Sequence, residues 1–226
     1  MRHVPLPIIV AAPLLAVSAV AAGDAGSTAN DNIVVDSEQL HDAVPATEII
    51  GKDVLMRDGR DVGDVEDVII AKDGSVKSLL VSRDDGAAGG AGDDVQLEWN
   101  NVSYNRQQQV VRLDDSASGL QAAQRGGARA PGEDGDLRVS ELVGMDVNLS
   151  DKQLYGEVHD VLIDTDQGNA AAIVVDSGGF FTNETRALPV TLDAVDPGKE
   201  QLDLEYTEQQ VESAEELDLE SITDIT

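Results

Sequence analysis

The chain repeats itself. From Ile49 to Val81 it reads IIGKDVLMRDGRDVGDVEDVIIAKDGSVKSLLV, and from Leu142 to Val175 it reads LVGMDVNLSDKQLYGEVHDVLIDTDQGNAAAIVV. Gly51 aligns with Gly144, Asp53 with Asp146, Val54 with Val147 and Asp58 with Asp151. Gly63 then meets Gly156, Val65 meets Val158 and Asp67 meets Asp160, all at a spacing of 93. One residue inserted in the second copy moves the spacing to 94, where Gly74 meets Gly168 and Leu79-Leu80-Val81 meets Ile173-Val174-Val175. Repetition at this period constrains the fold more than composition does, because one chain solution has to serve twice. A length of 226 residues leaves each copy enough chain for a modest core of its own.

Each copy reads as short strands joined by tight turns. In the first, Asp53–Met56, Asp61–Ile70 and Val76–Ser82 are predicted strands, separated by the Asp58-Gly59 and Asp73-Gly74 turns. Asp-Gly supplies the positive φ that such hairpins need. Val95–Trp99 alternates with a period of two, and Val110–Leu113 completes the unit. In the second copy the strands fall at 145–149, 155–164, 170–176, 185–190 and 201–205. Gly63 and Gly156 lie inside strands, where a glycine marks a bulge or a close backbone approach, as at a barrel corner. Five or six short strands per copy predict an all-β chain of two tandem small β-barrels, with sheet edges removed by closure. Thr207-Glu208-Gln209-Gln210 has the form of a capping box, so a short acidic helix is expected to follow, to about Leu217.

The rest of the chain divides around these copies. Residues 1–22 read as a secretory signal peptide: Arg2 near the start, an apolar run from Val4 to Val20, and small residues at Ala19 and Ala21 before cleavage. Residues 23–46 read as a flexible polar leader with one apolar patch, Ile33-Val34-Val35. The first domain is placed at 47–122, a Gly/Pro/Arg linker at 123–136, the second domain at 137–206, and an acidic helix and tail at 207–226. The expected location is therefore periplasmic or secreted, with no integral membrane segment after cleavage.

Charge narrows the partners. There are 44 acids against 15 bases, a net charge of −29, and only five lysines. Such a surface repels phosphate backbones and anionic lipid headgroups, so nucleic acid is not expected as a partner. It also fits adaptation to high salt, where counterions screen the self-repulsion. The chain has no cysteine, which removes disulfides and thiol chemistry.

No catalytic, metal or cofactor set emerges. Asp67 and Asp160 each stand two places after a strand valine and are expected to share its inward face. A carboxylate there must find donors, so both are read as structural acids pinning the corners at Gly63 and Gly156. Asp164-Thr165-Asp166-Gln167-Gly168-Asn169 begins like a calcium loop, but position five is Gly168, position six is Asn169 and position twelve is Val175. No Gly-x-Ser-x-Gly elbow frames a serine, and the glycine run at 86–92 lacks a phosphate-binding ending. Trp99 is expected in or near the core. Phe180 and Phe181 follow Gly178-Gly179, and one of the two is a candidate partner contact.

The order Gly51-Lys52-Asp53-Val54, Asp58-Gly59, Gly63-Asp64-Val65-Glu66-Asp67-Val68, Asp73-Gly74 and Leu97-Glu98-Trp99 resembles the PRC-barrel domain. The second copy resembles it too, through Gly144-Met145-Asp146-Val147, Gly156-Glu157-Val158-His159-Asp160-Val161, the Gly178-Gly179-Phe180-Phe181 loop and Leu188-Pro189. The resemblance implies a small β-barrel without enzymatic activity that holds partners. Relatives of that kind include the photosynthetic reaction-centre H subunit and the ribosome maturation factor. The expectation is an exported, non-enzymatic protein-binding or scaffolding module of the bacterial envelope. The alternative is an acidic, weakly cation-binding or salt-stress protein without a specific partner. Whether the two barrels pack together is left open by the sequence.

Overall fold

The computed structural model describes residues 35, 40, 43–82, 94–114, 135–177, 185–189, 192, 195, 196 and 201–214. All of them fall within one compact unit, Asp31–Thr226. The first copy contains β1 (Ala43–Pro45), α1 (Ala46–Ile49), β2 (Asp53–Met56), β3 (Asp61–Ile70) and β4 (Val76–Ser82). It continues with β5 (Val95–Glu98), a 3-10 turn at Trp99–Asn101, β6 (Val102–Asn105) and β7 (Val110–Leu113). The second copy contains β8 (Leu137–Arg138), α2 (Val139–Leu142), β9 (Asp146–Asn148), β10 (Leu154–Asp164) and β11 (Asn169–Ser177). β12 (Thr185–Pro189), β13 (Val195–Asp196), β14 (Gln201–Asp203) and α3 (Glu208–Glu212) follow.

The two sheets share one plan. The first runs β5-β4-β3-β2-β7-β6 and the second runs β12-β11-β10-β9-β14-β13. Neighbours are antiparallel except for β2–β7 and β9–β14, which are parallel. Among the described residues neither hydrogen-bonding path closes into a ring. In the first copy the two end strands, β5 and β6, are joined through the 3-10 turn at Trp99–Asn101 instead of by a ladder. At each glycine corner the register slips, between Val54 and Leu55 opposite Gly63 and between Leu154 and Gly156 in the second copy. A Cβ on Gly156 would fall 1.9 Å from the Asp176 carbonyl oxygen, so the strands approach there as only glycine permits.

The copies are interlocked. β9 occupies the first part of the free edge of β10, and the second part is taken by β1, with Val44 opposite Ile163. The exchange is reciprocal: β8 pairs with β3, placing Leu137 opposite Ile70. Each copy thus lends its first strand and helix to the other copy's long hairpin. At the centre, the turn at Gly74 and the turn at Gly168 meet through an isolated bridge between Ser75 and Asn169. Val76 N–H donates to the Gly168 carbonyl at 2.9 Å and Ala170 N–H donates to the Gly74 carbonyl at 2.8 Å.

The core follows this geometry. One hydrophobic cluster takes residues from both copies, including Ile49, Val54, Val65, Val68, Leu79 and Leu142, Val147, Val158, Val161, Ile173. A smaller cluster lies on the outer face of the second sheet, where Val35, Leu40 and Ala43 cover Leu162, Ala172, Val174 and Ala187. The segment expected as a flexible leader to residue 46 is therefore structured at these points: Val35 and Leu40 are buried, and β1 and Ala46 belong to the exchanged arm. Burial of a side chain such as Ile49 contributes about 1.5–3 kcal/mol, enough to order a short arm whose own sequence is polar in between.

Gly168 has φ +69, and a Cβ there would lie 2.7 Å from the Trp99 ring of the other copy. Trp99 is 9% exposed, so the ring cannot simply swing outward. Gly168→Ala is expected to cost about 1–3 kcal/mol through strain and overpacking. The check is a denaturant titration followed by the fluorescence of Trp99, the only tryptophan in the chain.

Candidate functional site

The two acids that recur in the repeat sit where the exchanged arms dock. β3 carries a bulge between Val65 and Asp67, and β10 carries one between Val158 and Asp160. Beyond the bulge the alternation slips by one. Val65 faces Val81 and Val68 faces Leu79, all core residues, whereas Asp67 is opposite Leu80 on the outer face. Asp160 is likewise opposite Val174, a member of the outer cluster. Neither acid shares the face of the preceding valine, contrary to simple period-two counting. The extra residue re-aims the side chain, the usual effect of a bulge.

Both acids are nonetheless buried, at 2% and 4% exposed, and both are held by donors from the other copy. Asp67 Oδ1 accepts from Val68 N–H at 2.8 Å and Ser140 N–H at 3.2 Å, and Oδ2 accepts from the Ser140 hydroxyl. Asp160 Oδ1 accepts from Val161 N–H at 2.7 Å and Thr47 N–H at 3.3 Å, and Oδ2 accepts from the Thr47 hydroxyl. The expected anchoring of the Gly63 and Gly156 corners is replaced by a bond between copies. Ser140 and Thr47 are the second residues of α2 and α1, whose N-cap positions hold Arg138 and Pro45 and provide no side-chain cap to the first turn. A four-residue helix cannot pay its nucleation cost alone. The opposite copy's carboxylate takes the role that an N-cap aspartate usually plays within its own helix.

The third buried acid, Asp164, serves its own turn. Its Oδ1 accepts from the N–H groups of Asp166 and Gln167 at 3.0 and 2.9 Å, and Oδ2 accepts from the Gln167 side chain at 2.7 Å. The calcium-like opening at Asp164 is thus an Asx turn in which the carboxylate oxygens face amides. Asp58 and Asp73 do the same on the surface. Hydrogen bonds from Arg60 and from Ser75, respectively, hold the two carboxyls below their ordinary pKa. Among the described residues no group of three or more His, Asp or Glu side chains is placed to hold a metal ion.

The bulge residue itself is exposed and differs between copies. Glu66 lies beside Asp94; burial first, and then the Asp94 charge, lift its pKa, with Arg138 opposing. In the second copy His159 takes that place, with Nδ1 3.0 Å from Asp176 Oδ2. Glu48 on α1 is also lifted, chiefly by burial. Gly63 and Gly156 stand at the register slips described above. Phe180 and Phe181 lie outside the described residues.

The PRC-barrel domain family matches residues 41–119 and 134–211, together more than half of the chain. The chain belongs to the PRC-barrel family. Both matched spans begin upstream of the exchanged arms, so β1–α1 and β8–α2 are parts of the domains. Among solved structures, the chain is similar to a putative 16S ribosomal RNA processing protein RimM from Pseudomonas aeruginosa. The identity is 16% and the TM-score 0.27, over 71% of this chain and 98% of that one. No curated protein matches.

Sequence reasoning found the two acids but missed their partners. The signal was present: Ala46-Thr47-Glu48-Ile49 and Val139-Ser140-Glu141-Leu142 align at the same spacing of 93, extending the repeat upstream by one arm. Two results are expected from these PRC-barrel contacts. Asp67→Ala or Asp160→Ala leaves three donors without their acceptor, one of them buried, and removes a cap, lowering stability by about 2–4 kcal/mol. Thermal melting should show a drop of roughly 5–10 °C for either variant. Glu66→Gln removes an ionised group whose folded pKa is raised, so it relieves a cost present only where that group is charged. It should raise the Tm at pH 7 by about 1–2 °C. The gain should fade as the pH falls through the raised pKa to below the ordinary value of 4.5, where both states are protonated.

Proposed function

We propose that this tandem PRC-barrel chain is an exported, non-enzymatic binding or scaffolding protein of the bacterial envelope. The observation that carries the reading is the destination of its repeated buried acids. Asp67 and Asp160 are the groups a catalytic account would need, and each spends its oxygens on the next amide of its own strand and on one amide and one hydroxyl of the opposite copy. Their place in both copies follows from joining two domains into one body, which suits a rigid platform for partners. The turn acids Asp58, Asp73 and Asp164 likewise face their own turns, which favours a protein partner over loosely held cations.

Export rests on residues 1–22, with their basic start, apolar run and small-residue end. Those residues lie outside the described part of the chain. Among the described residues no helix is long and apolar enough to cross a membrane. The contact proposed for a partner is the Phe180-Phe181 loop, where aromatic side chains follow two glycines.

The test is affinity purification of the tagged, exported protein from its own envelope fraction at native salt, with mass spectrometry. A reproducible partner that is lost from the Phe180→Ala/Phe181→Ala variant is the expected result. A protein that comes through alone, or one that remains with the cells' cytoplasmic fraction, overturns the reading.

A further inference from the structure

Three stretches of the chain have the form Asn-x-Ser/Thr without proline between: Asn101-Val102-Ser103, Asn148-Leu149-Ser150 and Asn183-Glu184-Thr185. In an exported chain this tripeptide is the acceptor of N-linked sugar, provided that it lies at the surface. The tripeptide alone is a weak signal, and the structure separates the three. Asn148 ends β9, where its Nδ2 donates to Asp203 Oδ1 at 3.2 Å beside the β9–β14 ladder. That nitrogen is engaged, and a sugar on it would part the two strands. Asn183 and Glu184 lie outside the described residues, and the Thr185 hydroxyl donates to Asp176 Oδ1 at 2.6 Å.

Asn101 is placed differently. It ends the 3-10 turn and leads into β6, and its carbonyl accepts from Asp114 N–H at 2.7 Å. Among the described residues its side-chain amide makes no hydrogen bond. Val102 packs against the core, while Asn101 and Ser103 on either side of it border an open polar cleft of about 280 Å³. Alternation along the backbone therefore puts the amide and the hydroxyl on one side of the chain, with space before them. The second copy shows that the fold requires neither group. Val111 and Leu202 hold the same place beside Val54 and Val147, and they pair with Tyr104 and Val195. Counting back from that pair, Asn101 corresponds to Leu192 and Ser103 to Ala194.

We propose that Asn101 is N-glycosylated once the chain has been exported. The donor class is an oligosaccharide carried on a lipid diphosphate. Asn101 Nδ2 forms a bond to the anomeric carbon of the first sugar, and the bond from that carbon to the diphosphate oxygen breaks. The lipid diphosphate leaves with the electron pair, and the amide proton passes to a base of the transferase. The Ser103 hydroxyl holds the carboxamide for the attack, which is the reason the acceptor needs a hydroxyl at that position. The sugar stands at the start of β6, an end strand of the first sheet among the described residues, and shields an edge open to pairing.

This inference rests on the reading of the protein as exported. The experiment is mass spectrometry, on the intact chain and on its peptides, of the protein purified from its own envelope fraction. The expected chain begins after the signal residues and carries a glycan on the Asn101 peptide, with Asn148 bare. Asn101→Gln and Ser103→Ala abolish the added mass, and Ser103→Thr retains it. Ser103 is exposed, so its variants keep the fold. A bare Asn101 on a processed, exported chain overturns the proposal and leaves export standing. An unprocessed chain that stays in the cytoplasm with Asn101 bare overturns both. A glycan that survives Ser103→Ala, sits on Asn148 instead, or appears on a chain lacking residues 1–22 also overturns the proposal.

Discussion

The rest of the structure depends on one contact made twice: a buried aspartate of each copy caps the first turn of a helix contributed by the other. A carboxylate out of water is tolerated only with its lone pairs occupied, and each of these acids has three donors, two of them from the opposite arm. The helices have the complementary problem, since four residues headed by Pro45 or Arg138 cannot satisfy their own first N–H groups. Each half therefore carries one deficit that only the other half removes. Charge and hydrogen bonding fix the register of the docking, and the apolar residues Ile49 and Leu142 beside them provide the area.

This arrangement makes the two PRC-barrel domains a single body with an approximate twofold relation inside one chain. Thr47 and Asp160 are 113 residues apart, and Ser140 and Asp67 are 73 apart. Such contacts carry the closure entropy of the long segments between them. Covalent linkage keeps the two arms at high effective concentration, so exchange occurs within the molecule. The approximate symmetry is then broken on the surface. Glu66 is replaced by His159 at the bulge, and Arg112 on β7 by Asp203 on β14, which pairs with Lys152.

Much of the fold was legible in the residues. Strands β2, β3, β4 and β7 occupy the predicted spans, because Asp-Gly turns and alternating valines leave little freedom in where a hairpin begins and ends. Thr207 and Gln210 form the predicted capping box, although α3 is shorter than expected and ends at Glu212. Trp99 is buried as expected, but its neighbour Gly168 comes from the other copy. What escaped was everything lacking a local signature: β1 and β8 are too short to show a period, α1 and α2 too short to show a helical face, and β6 is a four-residue strand with mixed burial.

The sequence by itself determined the repeat, the strand order within each copy and the family, since these are written in local turn chemistry and hydrophobic period. It also marked Asp67 and Asp160 as special, because an acid retained at the same place in two copies of a hydrophobic strand needs a reason. Only the tertiary structure decided the reason. The bulges at Glu66 and His159 shift each acid to the outer face, and whether a side chain on that face meets water or another helix depends on how two distant segments pack. A period of two cannot reveal a bulge, and a one-dimensional pattern cannot reveal an exchange. Both are settled by long-range hydrogen bonds whose partners the chain brings together only after it folds.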